Sequence, residues 1–259
     1  MNWEEKSMQS KTSFYNRRIV HSDVRRFWRW WAVESLGLLL ATIFPLALLM
    51  DRTRDTLRSY LRAAVFIMTN PVLIAIAGAV VAMLVFGDVQ RRRAAYTIHS
   101  FPVRRETLFV SHMISGLSMV ILPGIFIYLL LILLNLGLHS GMTQTLLLCM
   151  VESIVEACFF FSMAVLTQFL VGNTILGTAI FAVLQALYLA IRISAMSLGQ
   201  LFAYSLINNW NFLDTNSRLS LWLTPVAYLW KNVGVSLTLN GKAFVNLSMF
   251  WGVIGYSLA

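Results

Sequence analysis

Charge is what this sequence has least of. Charged side chains make up 12% of its 259 residues, about half the share found in ordinary soluble domains. With 58% of residues hydrophobic, a water-soluble fold would expose large apolar patches, which excludes a soluble domain or an enzyme working in water. Cysteine is almost absent: Cys149 and Cys158 stand nine positions apart inside one apolar run. They form neither a disulfide framework nor a metal-ligand spacing and read as small packing residues. No glycine-rich phosphate loop ending in Lys-Ser/Thr occurs, so the chain does not hydrolyse ATP itself. There is no His-Glu-x-x-His and no Gly-x-Ser-x-Gly, and His21, His99, His112 and His139 are scattered. Neither a metal site nor a catalytic residue is expected. The first 29 residues are polar and basic, with no short apolar core ahead of a cleavage site, so no signal peptide is read there.

What is present is length of apolar run, with a mean hydropathy of +0.72. Backbone polar groups in lipid must be satisfied internally, which leaves helices or closed barrels. Barrel strands would alternate over about 10 residues; these runs are continuous and longer, so the expectation is an all-α membrane protein. Six spans are expected, at about Trp30–Met50, Ala63–Gly87, Thr107–Leu136, Leu146–Val171, Thr174–Met196 and Phe244–Ala259. Asn70-Pro71 interrupts the second, and Pro45 and Pro123-Gly124 are candidate kinks or flex points in the first and third. Asp51–Arg62 reads as a short, charged turn, and Gly137–Thr145 and Gly172-Asn173 as small-residue turns. The last span stops after 16 residues, short of a full crossing, which suggests a truncated chain end.

Ahead of the first span, residues 1–29 form a cytoplasmic tail and amphipathic helix. Val20, Val24, Phe27, Trp28 and Trp31 recur on one side, and Arg18, His21, Arg25 and Arg29 on the other. That pattern suits a helix lying in the membrane interface; the alternative is a basic aromatic flank running straight into the span. Ser197–Lys242 carries Tyr204, Trp210, Trp222, Tyr228 and Trp230, and Thr224-Pro225 breaks its apolar part. It reads as one or two re-entrant or interfacial helices before the last span. With the N-terminus in the cytoplasm, inside segments hold twelve Lys and Arg and outside segments seven, Arg192 being set aside. The net charge of +9 is therefore read as topology and contact with anionic lipid rather than nucleic-acid binding.

Two acids fall inside the fourth run. Glu152 and Glu156 lie four apart, hence on one helix face. Intramembrane carboxyls face bundle interiors or wet cavities. They line a polar substrate path or bind a cationic solute, or else are structural, protonated by burial or paired with Arg192. Glu34, early in the first span, reads as structural, reaching towards Arg29 or across helices.

The stretch Asp88-Val-Gln-Arg-Arg-Arg-Ala-Ala-Tyr-Thr-Ile-His-Ser-Phe-Pro-Val-Arg-Arg-Glu-Thr is a basic elbow between the second and third spans. Its first half can form a short surface helix that Phe101-Pro102 ends. With Ser100-Phe101-Pro102-Val103-Arg104-Arg105, it resembles the loop of ABC transporter permeases of the antibiotic- and polysaccharide-export branch (the type V exporter fold). The layout of six spans, an N-terminal elbow helix and a re-entrant segment before the last span is similar across the chain. In sequence, the resemblance rests on residues 88–107.

The resemblance implies a half-transporter that pairs with a second permease subunit, the same chain or a paralogue, and docks separate ABC ATPase subunits. ATP and magnesium would belong to the ATPase, and this chain would bind no cofactor. Arg91–His99 would be the coupling helix. Tyr96, Ile98 and Phe101 would be its apolar anchors and Arg92, Arg93 and Arg105 its polar contacts, with Arg91, His99 and Pro102 completing the segment. The family's basic tail after the last span is missing here. The expected function is export of an amphipathic drug, peptide or lipid-like substrate across the cell membrane. The alternative is a non-transporting sensor or immunity protein that binds a peptide or lipid at its outer face.

Overall fold

The computed structural model describes residues 17–47, 54–90, 105–138, 142–202, 229, 235–237 and 243–245. Six helices carry almost all of them: α1 (Arg17–Ala47), α2 (Arg54–Met68), α3 (Pro71–Gln90), α4 (Arg105–Leu138), α5 (Thr143–Val171) and α6 (Thr174–Phe202). Two three-residue strands, Val235–Leu237 and Ala243–Val245, pair antiparallel. Among the described residues three helical stretches are long and apolar enough to cross a membrane: Ser59–Gly87, Glu106–Gly137 and Thr143–Val171. A shorter apolar stretch follows at Thr174–Leu187. Apart from that strand pair the described residues are those of a helical membrane protein. Large apolar side chains stand outward, Leu170 77% and Ile175 72% exposed, a surface suited to lipid rather than water.

Three expectations change. The amphipathic segment and the first span do not separate at residues 29–30: α1 is one helix of 31 residues, about 46 Å long. No glycine stands between Arg17 and Gly37 and no proline before Pro45, so nothing local breaks it. The charged turn Asp51–Arg62 is helical from Arg54 onward, because its charges fall on one side of a strongly two-sided helix. The start of the expected sixth span is strand, Phe244 pairing with Ser236. Residues 246–259 and most of the expected re-entrant segment lie outside the described residues.

The turns follow their local chemistry. Asn70 Oδ1 accepts from the backbone N–H groups of Val72 (3.0 Å) and Leu73 (3.4 Å), with Pro71 at the first helical position, where its missing N–H costs nothing. Asn173 repeats this at α6, accepting from Ile175 (3.0 Å) and Leu176 (3.4 Å). Gly172, at φ 68°, ends α5 in the left-handed region and donates its N–H to the Gln168 carbonyl.

α5 packs against α2, α3, α4 and α6, and α1 packs against α2 and α4. Two apolar clusters stack along the bundle. One joins Leu61, Val65 and Met68 of α2 to Ile127 and Leu131 of α4 and Leu146 and Cys149 of α5. The other joins Ala75, Ala79, Ala82 and Phe86 of α3 to Met119 of α4, Phe160, Phe161 and Ala164 of α5 and Phe181 of α6. Small residues on α3 let the backbones meet: a Cβ on Gly78 would stand 3.1 Å from the Phe161 backbone nitrogen. The seam between the two clusters falls at the α2–α3 break on one side and at residues 150–156 of α5 on the other.

Candidate functional site

Several buried polar groups of the bundle gather at that seam. α2 stops at Met68, and the Val72 N–H turns to the Asn70 side chain instead of the Met68 carbonyl. That carbonyl lies 3.4 Å from the Ser153 hydroxyl of α5. Ser153 Oγ also lies 2.8 Å from the Cys149 carbonyl and 2.8 Å from the Tyr128 hydroxyl of α4. A serine hydroxyl has one proton, so donation to a carbonyl leaves Tyr128 as donor and Ser153 as acceptor between them. Breaking the helix in mid-span thus leaves the Met68 carbonyl without its usual N–H partner and within 3.4 Å of Ser153.

Glu152 and Glu156 flank Ser153 on α5. Both side chains are fully buried, and both lie within electrostatic reach of Tyr128 and Cys149. Among the described residues neither carboxyl oxygen of Glu156 has a hydrogen-bond partner. The side chain of Arg192, which the sequence offered as their partner, lies outside the described residues.

Next to the seam lies a cavity of about 380 Å³ walled by α1, the α2–α3 break, α4 and α5. Its lining is almost wholly apolar, including Leu38, Ile67, Ile74, Ile121 and Ile154. The polar exceptions are Trp30 and Glu34 on α1, Tyr128 on α4 and Ser153 on α5. Glu152 and Glu156 are not among the lining residues; Tyr128, Ser153 and Ala157 stand in the wall instead. The carboxyl that does face the cavity is Glu34, which sequence alone reads as structural. Its Oε2 is buried, and the Trp30 indole, one turn away, is the hydrogen-bonding neighbour of the carboxyl among the described residues.

A second polar contact ties α1 to α4. His112 Nδ1 and Asp23 Oδ2 are 2.7 Å apart, and the Ser115 hydroxyl donates to the same oxygen at 2.9 Å. The three residues recur at no telling spacing, and only the fold brings Asp23 to the other two.

Of the expected coupling residues, Arg91, Arg92, Arg93, Tyr96, Ile98, His99, Phe101 and Pro102 lie outside the described residues, and Arg105 opens α4. Among the described residues no group of three His, Cys, Asp or Glu could hold a metal ion. No family model matches the chain, and neither a curated protein nor a solved structure matches it.

Proposed function

We propose that the chain is the membrane-embedded permease subunit of an ATP-binding-cassette exporter. In this reading it has six spans and a cytoplasmic N-terminus, and it works with separate ATPase subunits and a second permease subunit. The observation that carries the reading is the cavity beside the α2–α3 break, an apolar chamber with few polar groups inside a helical bundle. Binding sites of membrane transporters favour such mid-span breaks, where freed backbone groups line a cavity. The basic loop 88–107 supplies the other half of the argument, since it sits between two spans and carries Arg91, Arg92, Arg93, Arg104 and Arg105.

Nucleotide binding by the ATPase pair moves the loop, and the loop moves the ends of α3 and α4 that it joins. The two states of the bundle must then differ in their affinity for nucleotide, or no work is transmitted. The Asn70-Pro71 break in the second span and Pro123 within α4 are the points at which these helices flex.

The test is affinity purification of the tagged chain in mild detergent, followed by mass spectrometry and an ATPase assay. A stoichiometric ATPase subunit, lost when residues 91–101 become a Gly/Ser linker, is the expected result. Recovery of the chain alone, with no nucleotide hydrolysis, would sink the reading and leave the loop arginines as topology signals.

A further inference from the structure

We propose that the cavity is a binding site for a hydrophobic monocation, an organic molecule with an apolar body and a single positive charge, held by Glu34. This names a substrate class for the transport reading and rests on that reading only for its physiological purpose.

Three observations carry it. The first is the composition of the wall. Apolar side chains from four walls of the bundle line a partly open cavity of about 380 Å³, within the range of roughly 300–1,000 Å³ typical of small-molecule pockets. The second is the single carboxyl. Among the described residues Glu34 is the one acid that lines the cavity, and its buried carboxyl meets no cation there, only the Trp30 indole. Among the described residues no Lys or Arg side chain lines the cavity, so none of them in the wall repels an incoming cation. An acid inside a membrane bundle is costly unless it meets a partner, and a ligand's cationic centre is such a partner. The third is the aromatic side chain one turn below it. Trp30 shares the Glu34 face of α1 by its i, i+4 spacing and lines the same space. Indole is the best ring for holding a cation by its face.

Two glycines shape the chamber. Gly37 of α1 and Gly124 of α4 both line it, and a Cβ at either would meet no atom within 4 Å. Larger residues at these positions would fill the cavity without clashing with the core. A neutral lipid tail would find the apolar wall as welcoming, but it gives Glu34 nothing to pair with. Charge complementarity therefore selects a cation over an acyl chain.

The experiment uses the purified full chain in nanodiscs and measures binding of tetraphenylphosphonium, with tetraphenylborate as the anion of like shape. Thermal unfolding of each variant checks the fold. Tetraphenylphosphonium should bind the wild type, weaken by about tenfold or more in Glu34→Gln, and be excluded by Gly124→Leu or Gly37→Leu. Tetraphenylborate should not bind. Equal affinity in wild type and Glu34→Gln, or equal binding of the two ions, overturns the proposal. So does a phospholipid retained in native mass spectrometry that tetraphenylphosphonium fails to displace. Because binding is read without nucleotide, its loss is separable from failure of the transport reading, which shows in ATPase co-purification alone.

Discussion

Asp23 of α1 and His112 of α4 meet at 2.7 Å, and Ser115, one turn further along α4, donates to the same Asp23 oxygen at 2.9 Å. This contact fixes the N-terminal half of α1 against the bundle and holds the wall that carries Trp30 and Glu34. Asp23→Ala removes the shared acceptor and leaves two largely buried polar side chains without it. A loss of about 1–3 kcal/mol is expected, read as a lower unfolding midpoint in detergent. Asp23→Asn keeps one acceptor and should fall between wild type and Asp23→Ala. An unchanged midpoint in both would show that α1 is held by apolar packing alone.

Glycine substitutions should sort by position rather than by helix propensity. A Cβ on Gly177 would stand 2.6 Å from the Gln168 Cα, a backbone atom that cannot step aside, so α5 and α6 must move apart. On Gly116 it would overlap the Phe161 ring, which has room only if the core repacks. Gly177→Ala and Gly116→Ala are expected to cost about 1–3 kcal/mol each through overpacking. Gly37→Ala and Gly124→Ala meet open space and should be neutral or gain up to about 1 kcal/mol from helix propensity. Thermal unfolding of the four single variants separates the two classes.

The spans that the structure supports were legible because an apolar run of sufficient length has one stable form in lipid. The turns were legible for a chemical reason: Asn70-Pro71 and Gly172-Asn173 combine a capping side chain with a residue that starts or stops a helix. The continuity of α1 was not, since its arginines and tryptophans suit an interfacial helix and the flank of a span equally well. Residues 54–62 misled because a charged stretch between two spans looks like a turn until its charges are seen to share one face. Glu34 and the Asp23–His112–Ser115 contact could not be read at all. Which acid faces a cavity, and which meets a histidine 89 positions away, depends on how helices pack, and local spacing carries no record of that.

Tyr128 illustrates how the seam is held. Its hydroxyl bonds Ser153 at 2.8 Å, and its ring is 1% exposed in the cluster formed with Leu61, Ile127 and Leu146. Tyr128→Phe removes only the hydrogen bond, and Ser153 keeps the Cys149 carbonyl. The expected cost is about 0.6 kcal/mol, as for interhelical hydrogen bonds in membranes generally. Tyr128→Ala also opens a void and should cost about 3–5 kcal/mol. Reversible unfolding in mixed micelles gives both values, and similar costs for the two variants would mean that the ring contributes nothing to the packing of α4 on α5.

Glu156 offers a test of stability against function. Its side chain is wholly enclosed, and among the described residues neither carboxyl oxygen finds a hydrogen-bond partner. A buried polar group without partners costs about 1–3 kcal/mol, and an apolar residue of similar volume removes that cost. Glu156→Met should therefore raise the unfolding midpoint, the reverse of what most core substitutions do. Glu156→Gln keeps two polar atoms in the same place and should give little relief. If the chain is the permease proposed above and the carboxyl is kept for work, the more stable Glu156→Met chain should lose substrate-stimulated ATPase activity in the assembled complex, because sites that need a strained or unpaired group trade stability for activity. A Glu156→Met chain that is more stable and fully active would make Glu156 a tolerated imperfection of the core. One that is less stable would mean that the carboxyl has a partner whose loss outweighs the relief.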